Sequence, residues 1–395
     1  MDRIVVTGIG GISAIGTTVA ENRTSLIKGT CGMGRLEMFP SKFSDILPVA
    51  EIKVSTEALK EKLNAFGPGI TRTTLLALHA IKETIADSGL TNEQISSFDT
   101  ALIGASTVGG MCMTDEMQKD AQKDTSGSEY LASYDCGSTY MYLQKRYSLN
   151  GPVNTINTAC SSSANAIMFG ARLIRSGKVR RAIVGGADSL AKFTINGFNS
   201  LHILSPDLCT PFDQERKGLN LGEGAAFLIL EREEDAAGKK IHASVSGYAN
   251  ANDAYHASSL SDEGIGPYKA MSDALVSAKL DPAQIDFINA HGTGTENNDK
   301  LESMAMLRLF GKVPAFASTK ANIGHTLGAS GAIEALYCIL NLEEQELYPG
   351  INFKNPIPET ALHPLRMYQK TKLTHIMSNS FGFGGNCSSL IFSKA

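Results

Sequence analysis

The amino-acid sequence predicts an α/β protein. Short runs of β-branched and apolar residues alternate with longer segments in which apolar residues recur with the period of a helix. The chain has 395 residues, of which 43% are hydrophobic by type, so it can bury an extended core. The alternation favours sheets flanked by helices over an all-β arrangement.

The predicted strands are distributed along the whole chain. They are residues 4–7, 100–104, 153–158, 181–184, 225–230, 285–290, 315–319 and 389–391. The glycine-rich segment 8–13 follows the first strand and matches a dinucleotide-binding fingerprint only in part. Its third glycine position is Ser13, and no acidic residue follows at the distance needed to bind a ribose. We therefore predict a tight structural turn at 8–13.

The predicted helices are marked by apolar stripes. Residues 73–88 and 162–176 show the pattern clearly, and Gly177 is placed to end the second helix. A third helix from about residue 331 to 340 is apolar almost all round, which predicts burial. Residues 111–135 are polar without a clear period, and we predict a mobile surface insertion there.

Composition excludes several classes of protein. Lys and Arg number 36 and Asp and Glu 40, giving a net charge of −4 without blocks of like charge, which argues against nucleic-acid binding and against disorder. Seven scattered cysteines without a C-x-x-C pair argue against a disulfide scaffold and a zinc ribbon. The start of the chain lacks a signal-peptide pattern, and no apolar run is long enough to span a membrane. We expect a cytoplasmic protein.

Cys160 is the first candidate catalytic residue. It lies in T-A-C-S-S-S (158–163), between a predicted strand and the helix 162–176. At a helix N-terminus the free N–H groups and the helix dipole stabilise a thiolate, so we expect a pKa lowered from about 8.5 towards neutrality. A buried, inert cysteine is the ordinary alternative, but this placement favours a nucleophile.

Two histidines occupy similar loops. His291 lies in H-G-T-G-T (291–295) after the predicted strand 285–290, and His325 ends K-A-N-I-G-H (320–325) between a strand and a helix. A single histidine is more often structural than functional. Two of them at strand ends, where ligands gather in parallel sheets, suggest one site together with Cys160.

A glycine-rich turn, N-S-F-G-F-G-G-N (379–386), lies near the C-terminus. Its glycines would let backbone N–H groups approach a substrate oxygen and form an oxyanion hole, while Phe381 and Phe383 exclude water. A flexible hairpin loop is the simpler explanation for this segment taken alone.

Taken in order, the four motifs closely resemble those of elongating, type II β-ketoacyl-acyl-carrier-protein synthases. The resemblance extends over nearly the whole chain and includes P-F-D-Q-E-R-K-G-L-N-L-G-E-G-A (211–225). It implies the thiolase fold, a duplicated five-layer αβαβα architecture. We place the half that carries the cysteine at 1–239 and the half that carries the histidines at 240–395, with the boundary near a charged run at 231–235.

The resemblance also implies the roles of individual residues. Cys160 would be the nucleophile, and His291 and His325 would act on the extender unit. The other implied catalytic residues are Lys320, Glu334 and Phe381, with the N–H groups of Cys160 and Phe381 forming the oxyanion hole and Phe381 gating the second substrate. The implied substrate-binding residues are Thr293 and Thr295 for the pantetheine arm, Val108 and Phe198 for the acyl tunnel, and Phe383.

The implied reaction is the decarboxylative Claisen condensation of malonyl carrier protein with an acyl group on Cys160. Neither a metal nor a nucleotide cofactor is required. The expected partners are acyl carrier protein and a second chain, in a homodimer or a heterodimer with a chain-length factor. Traits such as H-G-T-G-T-E-N-N-D also resemble synthases of specialised polyene pathways, so an aryl-polyene or polyketide ketosynthase is the alternative.

Three other functions are weighed against a condensing enzyme. A non-catalytic chain-length partner typically lacks the nucleophile, whereas Cys160 is present. A thiolase would carry a second catalytic cysteine in the final glycine loop, but Phe381 stands there and Cys387 follows too late. A cysteine hydrolase, and a zinc site formed by Cys160, His291 and His325, remain open at the level of the sequence.

Overall fold

The computed structural model describes residues 3–123 and 127–395. Residues 124–126, which belong to the insertion predicted at 111–135, lie outside the described residues, as do residues 1–2. The helices are α1 Val19–Ile27, α2 Thr56–Leu63, α3 Arg72–Ser88, α4 Asn92–Ser96, α5 Thr114–Lys123, α6 Ser138–Arg146, α7 Ser162–Arg175, α8 Lys192–Ser200, α9 Ile265–Ala278, α10 Glu296–Phe310, α11 Lys320–Ile323 and α12 Ser330–Glu344. The strands are β1 Ile4–Ser13, β2 Met33–Gly34, β3 Val49–Ala50, β4 Thr100–Ala105, β5 Val153–Ile156, β6 Arg181–Asp188, β7 Gly224–Arg232, β8 Ala243–Asn252, β9 Phe287–Asn289, β10 Ala315–Ala317, β11 Glu346–Leu347, β12 Gln369–Lys370, β13 His375–Phe381 and β14 Asn386–Lys394.

The main sheet contains the same strand arrangement twice. Its lateral order, β10-β9-β13-β14-β8-β1-β7-β6-β4-β5, divides into two sets of five strands. The lateral orders of the two sets are β5-β4-β6-β7-β1 and β10-β9-β13-β14-β8. If the five strands of each set are numbered 1 to 5 in chain order, both sets have the lateral order 3-2-4-5-1. In each set the pairs 4-5 and 5-1 are antiparallel, and the pairs 4-2 and 2-3 are parallel. The predicted duplication is confirmed.

The helices complete the five layers. Helix α3 packs on β1 and β7 in the first set, and α9 packs on β8 and β14 in the second. Helices α7 and α12 contact one another and contact strands of both sets, so they form the middle layer. The first set ends at Arg232 and the second begins at Ala243. The division at residues 239 and 240 into two domains stays a prediction.

The two middle helices agree with the sequence prediction. Helix α7 ends at Arg175, and Gly177 follows with a φ of +71°, the left-handed conformation that glycine adopts readily. Every residue of α12 from Ser330 to Leu342 is buried. The apolar character around α12 therefore reflects its position between two sheets.

The turn predicted at 8–13 is wrong, because β1 continues through these residues to Ser13. The glycines serve close packing of α3 on the strand. A Cβ at Gly8 would lie 2.6 Å from the carbonyl oxygen of Thr84, and a Cβ at Gly10 would lie 2.5 Å from the backbone of the same helix. Glycine is thus used here for helix–sheet contact and not for a change of chain direction.

The insertion at 111–135 contains a helix that the sequence analysis missed. None of the residues of α5 is buried, so no apolar stripe marks it in the sequence. Its charges do follow helical polarity, since Asp115 and Glu116 lie in the first turn and Lys123 in the last. Asp115 also forms an ion pair of 2.5 Å with Lys192 on α8.

Two further observations bear on the cellular setting. All seven cysteines are free thiols. Among the described residues, the helices are too short or too polar to cross a lipid bilayer. The cytoplasmic location remains a prediction.

A buried histidine links the two halves. His242, just before β8, lies 2.8 Å from Asp87 on α3 through Nε2 and 2.8 Å from Glu343 on α12 through Nδ1. The imidazole is buried, which opposes its charge, but its two carboxylate partners raise its pKa above the usual value. Against burial, hydrogen bonds to His242 and Lys240 lower the pKa of Glu343 to about 2.

We expect the contribution of His242 to the free energy of unfolding to depend on pH. A raised pKa in the folded state means that this stabilisation is complete below the unfolded pKa of about 6.5 and is lost as the pH rises through the folded value. His242→Gln should therefore destabilise the protein by about 1–2 kcal/mol near pH 6 and by clearly less near pH 9. Denaturant unfolding at both pH values measures this difference.

His375→Gln is the matched control, because burial lowers the pKa of His375. Its effect should not decline between the two pH values. An equal loss at both pH values in His242→Gln would contradict a charged His242.

Candidate active site

The two halves contribute the three candidate catalytic side chains from related positions. Cys160 lies just before α7 and His325 before α12, the corresponding helices of the two strand sets, while His291 follows β9. The Cys160 sulfur and a ring nitrogen of each histidine all lie within 4.8 Å of one another. All three residues are buried. The predicted convergence is therefore present in the structure.

The backbone around Cys160 is arranged to expose the sulfur to N–H groups. Ala159 has a φ of +53°, an unfavourable value for a residue with a side chain, and Ser162 Oγ accepts the Thr158 N–H at 2.8 Å to hold the turn. The backbone N–H groups of Cys160 and Phe383 face the sulfur and act to lower the thiol pKa. Two backbone donors thus converge where a carbonyl oxygen bound at Cys160 would develop charge.

The expectation of a lowered thiol pKa is wrong for the resting protein. Burial raises the pKa of Cys160 to about 11, although the backbone donors and the positive charge of Lys320 act in the opposite direction. The helix N-terminus does not outweigh the loss of hydration, because the sulfur lies in a site largely closed to water. At neutral pH the thiol is protonated.

His325 is held in one tautomer by the backbone. The Leu327 N–H donates to His325 Nδ1 at 3.0 Å, so Nδ1 carries the lone pair and the proton of the neutral ring is on Nε2. The ring faces His291 edge-on, with 5.5 Å between centroids and 86° between planes. His325 therefore presents an N–H donor to the site.

His291 is held in the same way by a lysine. Lys320 Nζ lies 3.2 Å from His291 Nδ1, and the same ammonium group donates to Glu334. An ammonium group has only donors, so His291 Nδ1 accepts and Nε2 carries the proton. Lys320 therefore links Glu334 to His291, and the catalytic roles expected of Lys320 and Glu334 stay predictions.

Both imidazoles are neutral at physiological pH. Burial, reinforced by the charge of Lys320, lowers the pKa of His291 and of His325 well below the usual value. Two neutral N–H donors beside a protonated thiol can stabilise a developing negative charge without protonating it outright.

Zinc is a poor fit to this arrangement. A metal ion needs a ring nitrogen with a free lone pair, and a metal-binding histidine usually donates its other N–H to an acceptor. Here Nδ1 of each ring accepts an N–H, which leaves the proton on the nitrogen that would have to bind the metal. The donor set favours proton and hydrogen-bond chemistry over the zinc site left open by the sequence.

A cavity of about 570 Å³ leads to the three side chains. Thr293 and Thr295, whose hydroxyls lie 2.8 Å apart, line it together with Phe198 and Phe383. The rings of Phe198 and Phe383 stack with 5.9 Å between centroids. Val108 lies behind this wall, in an apolar cluster that also contains Phe198.

The two phenylalanines of the glycine-rich loop occupy different positions from those expected. Phe381 ends β13, is buried, and packs its ring 5.8 Å from that of His291. The N–H at the Cys160 sulfur and the ring stacked across the cavity belong to Phe383. Both phenylalanines line the cavity, but Phe383 is the one at the sulfur, because β13 extends to Phe381 and the chain turns only after it. The roles of oxyanion donor and gate stay predictions.

Comparison with family models identifies the family of the chain. Residues 1–236 match the family model for the β-ketoacyl synthase N-terminal domain, and residues 242–354 match that for the C-terminal domain. The chain belongs to the β-ketoacyl synthase family.

Relatives of this synthase are similar along their whole length. A 3-oxoacyl-[acyl-carrier-protein] synthase 2 from Synechocystis is 32% identical over 415 residues, covering 99% of this chain and 98% of the relative. A putative mitochondrial 3-oxoacyl-[acyl-carrier-protein] synthase from Schizosaccharomyces pombe is 31% identical, covering 100% and 99%. The chain is a condensing enzyme of the acyltransferase type, with the thiolase-like fold of its family.

Solved structures extend the comparison. The ishigamide ketosynthase/chain length factor matches with a TM-score of 0.93 and 30% identity, covering 100% of this chain and 99% of the other. A ketosynthase in complex with its chain length factor from Xenorhabdus doucetiae matches with a TM-score of 0.86 and 32% identity, covering 100% and 98%.

Two acids that were not predicted from the sequence support the loop H-G-T-G-T. Glu302 accepts the N–H groups of His291 and Gly292, each at 2.9 Å, and Asp299 accepts the Gly294 N–H at 3.1 Å. Both acids lie on the buried face of α10. Burial raises the pKa of Glu302 to about 7. Two acids three residues apart directly after the motif are the signal that could have identified them.

The motif N-L-G-E-G-A also supports the synthase site. Its backbone pairs with His325 on both sides, since the His325 N–H donates to Asn220 O at 2.8 Å and the Gly222 N–H donates to His325 O at 3.0 Å. A Cβ at Gly222 would lie 2.1 Å from the Ile323 carbonyl oxygen. The first half of the chain therefore fixes the position of a histidine in the second half.

We expect alkylation of Cys160 by iodoacetamide to rise about tenfold per pH unit between pH 7 and pH 9, without levelling off. The thiolate reacts, and its fraction increases tenfold per unit below a pKa of about 11. Peptide mass spectrometry at Cys160 measures the rate. Free glutathione is the control, because an ordinary thiol levels off near pH 8.5. A plateau at Cys160 near neutral pH would contradict a protonated resting thiol.

Proposed function

We propose that this chain is a 3-oxoacyl-[acyl-carrier-protein] synthase that extends an acyl group held on Cys160 by two carbons, taken from malonyl carrier protein. The observation that carries the proposal is a thiol, two backbone donors and two neutral Nε2–H imidazoles at the end of one cavity. This set matches the needs of a reaction with two oxyanions, one on each substrate.

The first step is acyl transfer. The Cys160 sulfur attacks the thioester carbonyl of the acyl carrier protein, the bond to the pantetheine sulfur breaks, and the thiol proton passes to that departing sulfur. The oxyanion that forms lies between the N–H groups of Cys160 and Phe383. The products are acyl-Cys160 and free carrier thiol.

The second step is decarboxylation of malonyl carrier protein. The bond between the carboxylate and the methylene carbon breaks and CO2 leaves. The electron pair of that bond stays on the methylene carbon and is delocalised onto the thioester oxygen, which gives an enolate. The Nε2–H groups of His291 and His325 donate to the enolate oxygen. Their lowered pKa values suit this role, because a charged imidazolium would protonate the enolate.

The third step joins the chains. The enolate carbon attacks the acyl-Cys160 carbonyl, the carbon–sulfur bond breaks, and the departing thiolate takes up one proton from water to restore the thiol. The backbone donors of Cys160 and Phe383 act again at the carbonyl oxygen. The product is a 3-oxoacyl chain on the carrier protein. Apart from the proton from water, the scheme uses protein groups alone, with phosphopantetheine supplied by the substrate, and Thr293 and Thr295 lie where its arm would enter.

A ketosynthase subunit of a specialised polyene or polyketide pathway is the second candidate. The ishigamide and Xenorhabdus relatives, both ketosynthases with a chain length factor, favour it. Another solved relative is a type II polyketide ketosynthase in complex with its acyl-carrier protein. In this alternative the chemistry at Cys160 is the same, and the acyl chain and the partner subunit differ.

We further propose that a second ketosynthase-fold chain binds at β5. This strand is at the edge of the sheet, so one side of its backbone has no neighbouring strand among the described residues. A cavity of about 670 Å³ lies beside it, and Met141 of α6, in its lining, is 62% exposed. Leu131, in the insertion 111–135, is 66% exposed. An open edge beside exposed apolar side chains favours a partner of the same fold, either a second copy or a chain-length factor.

Substitution of Cys160 separates the steps of the proposed reaction. Cys160→Ala should abolish condensation, because no acyl-enzyme forms. Cys160→Gln should abolish condensation but keep malonyl decarboxylation, since both histidines remain. Product formation and CO2 release, measured with carrier-bound substrates, test both variants, and full condensation by either one would refute the assignment.

His325→Ala should reduce decarboxylation by about 10²–10³-fold, because one of two donors to the enolate is lost. Acylation of Cys160, followed by mass spectrometry, should persist. His242→Gln is a control histidine variant remote from the site. Equal loss of acylation and decarboxylation in His325→Ala would contradict the separate roles.

Met141→Glu tests the proposed partner surface. A charge placed in the apolar contact should shift the protein towards smaller species in sedimentation velocity, alone or with a co-expressed chain-length factor. Val276→Glu is the matched control, because Val276 is also exposed, at 74%, on the outer helix α9. Unchanged assembly of Met141→Glu would place the partner elsewhere.

A further inference from the structure

A buried carboxylate at the end of β6 connects loops from both halves. Asp188 is fully buried. Its Oδ1 accepts from Ser106 Oγ at 2.6 Å and from the Val108 N–H at 2.9 Å. Its Oδ2 accepts from Thr107 Oγ1 and from the Gly328 N–H, each at 2.7 Å. The Thr107 N–H lies within 3.1 Å of both oxygens.

The contact with Gly328 reaches the histidine through the residue before it, Leu327, whose N–H donates to the imidazole. Leu327, two residues after His325, has a φ of +53°, a strained value for a side chain branched at Cγ. In this conformation its N–H points back to His325 Nδ1 at 3.0 Å. A local conformation of this kind persists only where surrounding contacts impose it, and the hydrogen bond from the next N–H to Asp188 is such a contact.

The space around this contact is fully occupied. A Cβ at Gly328 would lie 2.8 Å from Asp188 Oδ2 and 3.0 Å from the Thr107 backbone nitrogen. Leu327 is itself buried in the apolar cluster that contains Val108. The carboxylate therefore fixes the loop that ends in Gly328 against the loop after β4.

We propose that Asp188 is a positioning residue that keeps His325 in the Nε2–H tautomer required at the site. It binds the Gly328 N–H, holds Leu327 in its left-handed conformation and so keeps the Leu327 N–H on His325 Nδ1. Without that donor either ring nitrogen can carry the proton, and a ring protonated on Nδ1 presents a lone pair instead of a donor to the enolate. The consequence for catalysis rests on the proposed function, whereas the effect of Asp188 on the tautomer of His325 is independent of it.

The carboxylate form is specified by its partners. Each oxygen of Asp188 accepts at least one backbone N–H, and backbone N–H groups cannot reverse their role. An amide at this position would therefore direct an NH2 group at a backbone donor in either orientation. Hydroxyl groups alone could rotate to accept from the NH2 group of an amide, but the backbone N–H groups around Asp188 cannot.

The direct test is the protonation state of His325 in protein with 15N-labelled histidine. In the wild-type synthase the His325 Nδ1 signal should be that of an unprotonated nitrogen and Nε2 that of a protonated one. His325→Gln identifies the signal by its disappearance. A wild-type His325 with its proton on Nδ1 would overturn the proposal without any variant.

Asp188→Ala removes both carboxylate oxygens. If this variant does not fold, the same measurements are made on Asp188→Asn, which keeps the volume of the side chain. In the folded variant we expect His325 Nδ1 to gain protonated character. Malonyl decarboxylation should fall about tenfold or more in kcat with little change in KM, while acylation of Cys160 persists. An unchanged His325 signal in a folded variant would overturn the positioning role.

Glu51→Gln is the matched control. Glu51 is also buried, and its carboxylate accepts from the backbone N–H groups of Glu37 and Met38 and from Lys53, none of which belongs to the loop of His325. It should lower stability without moving the His325 signal. Absence of decarboxylation in the wild type, with the expected tautomer present, would count against the proposed function and leave the role of Asp188 standing.

Discussion

The exclusion of water from one small volume determines the chemistry of this protein. Cys160, His291 and His325 meet at the inner end of the cavity, where the surrounding protein covers nearly all of their surface. Burial keeps the thiol protonated and the imidazoles uncharged, because each charged form would lose its hydration. The site is thereby set for hydrogen-bond donation to oxyanions that exist only during the reaction.

The duplicated fold explains how such a site can be assembled. Helices α7 and α12 are equivalent elements packed together in the middle layer, so the loops that precede them bring Cys160 and His325 to one place. The contact is reinforced by backbone pairing between the segment 220–222 and His325. Each half supplies what the other lacks, and neither would form the site alone.

Buried acids hold the loops in place. Glu302 and Asp299 bind the N–H groups of the loop after β9, and Asp188 binds those of the loops after β4 and before α12. A carboxylate surrounded only by donors satisfies backbone groups that cannot reach water. Burial raises the pKa of each of these acids, and the N–H groups that they bind act in the opposite direction. The loops therefore have their positions fixed before substrate arrives.

The sequence by itself determined the α/β class, the middle helices and the three side chains at the site, because apolar periodicity and residues at strand ends are local properties of the chain. Other features depended on tertiary structure. The extent of β1 through glycine followed from the approach of α3, and the pKa of Cys160 followed from burial by both halves. The replacement of Phe381 by Phe383 at the sulfur was decided by where β13 ends. Each of these three features depends on contacts between segments that are far apart in the chain, and a local sequence pattern contains no information about such contacts.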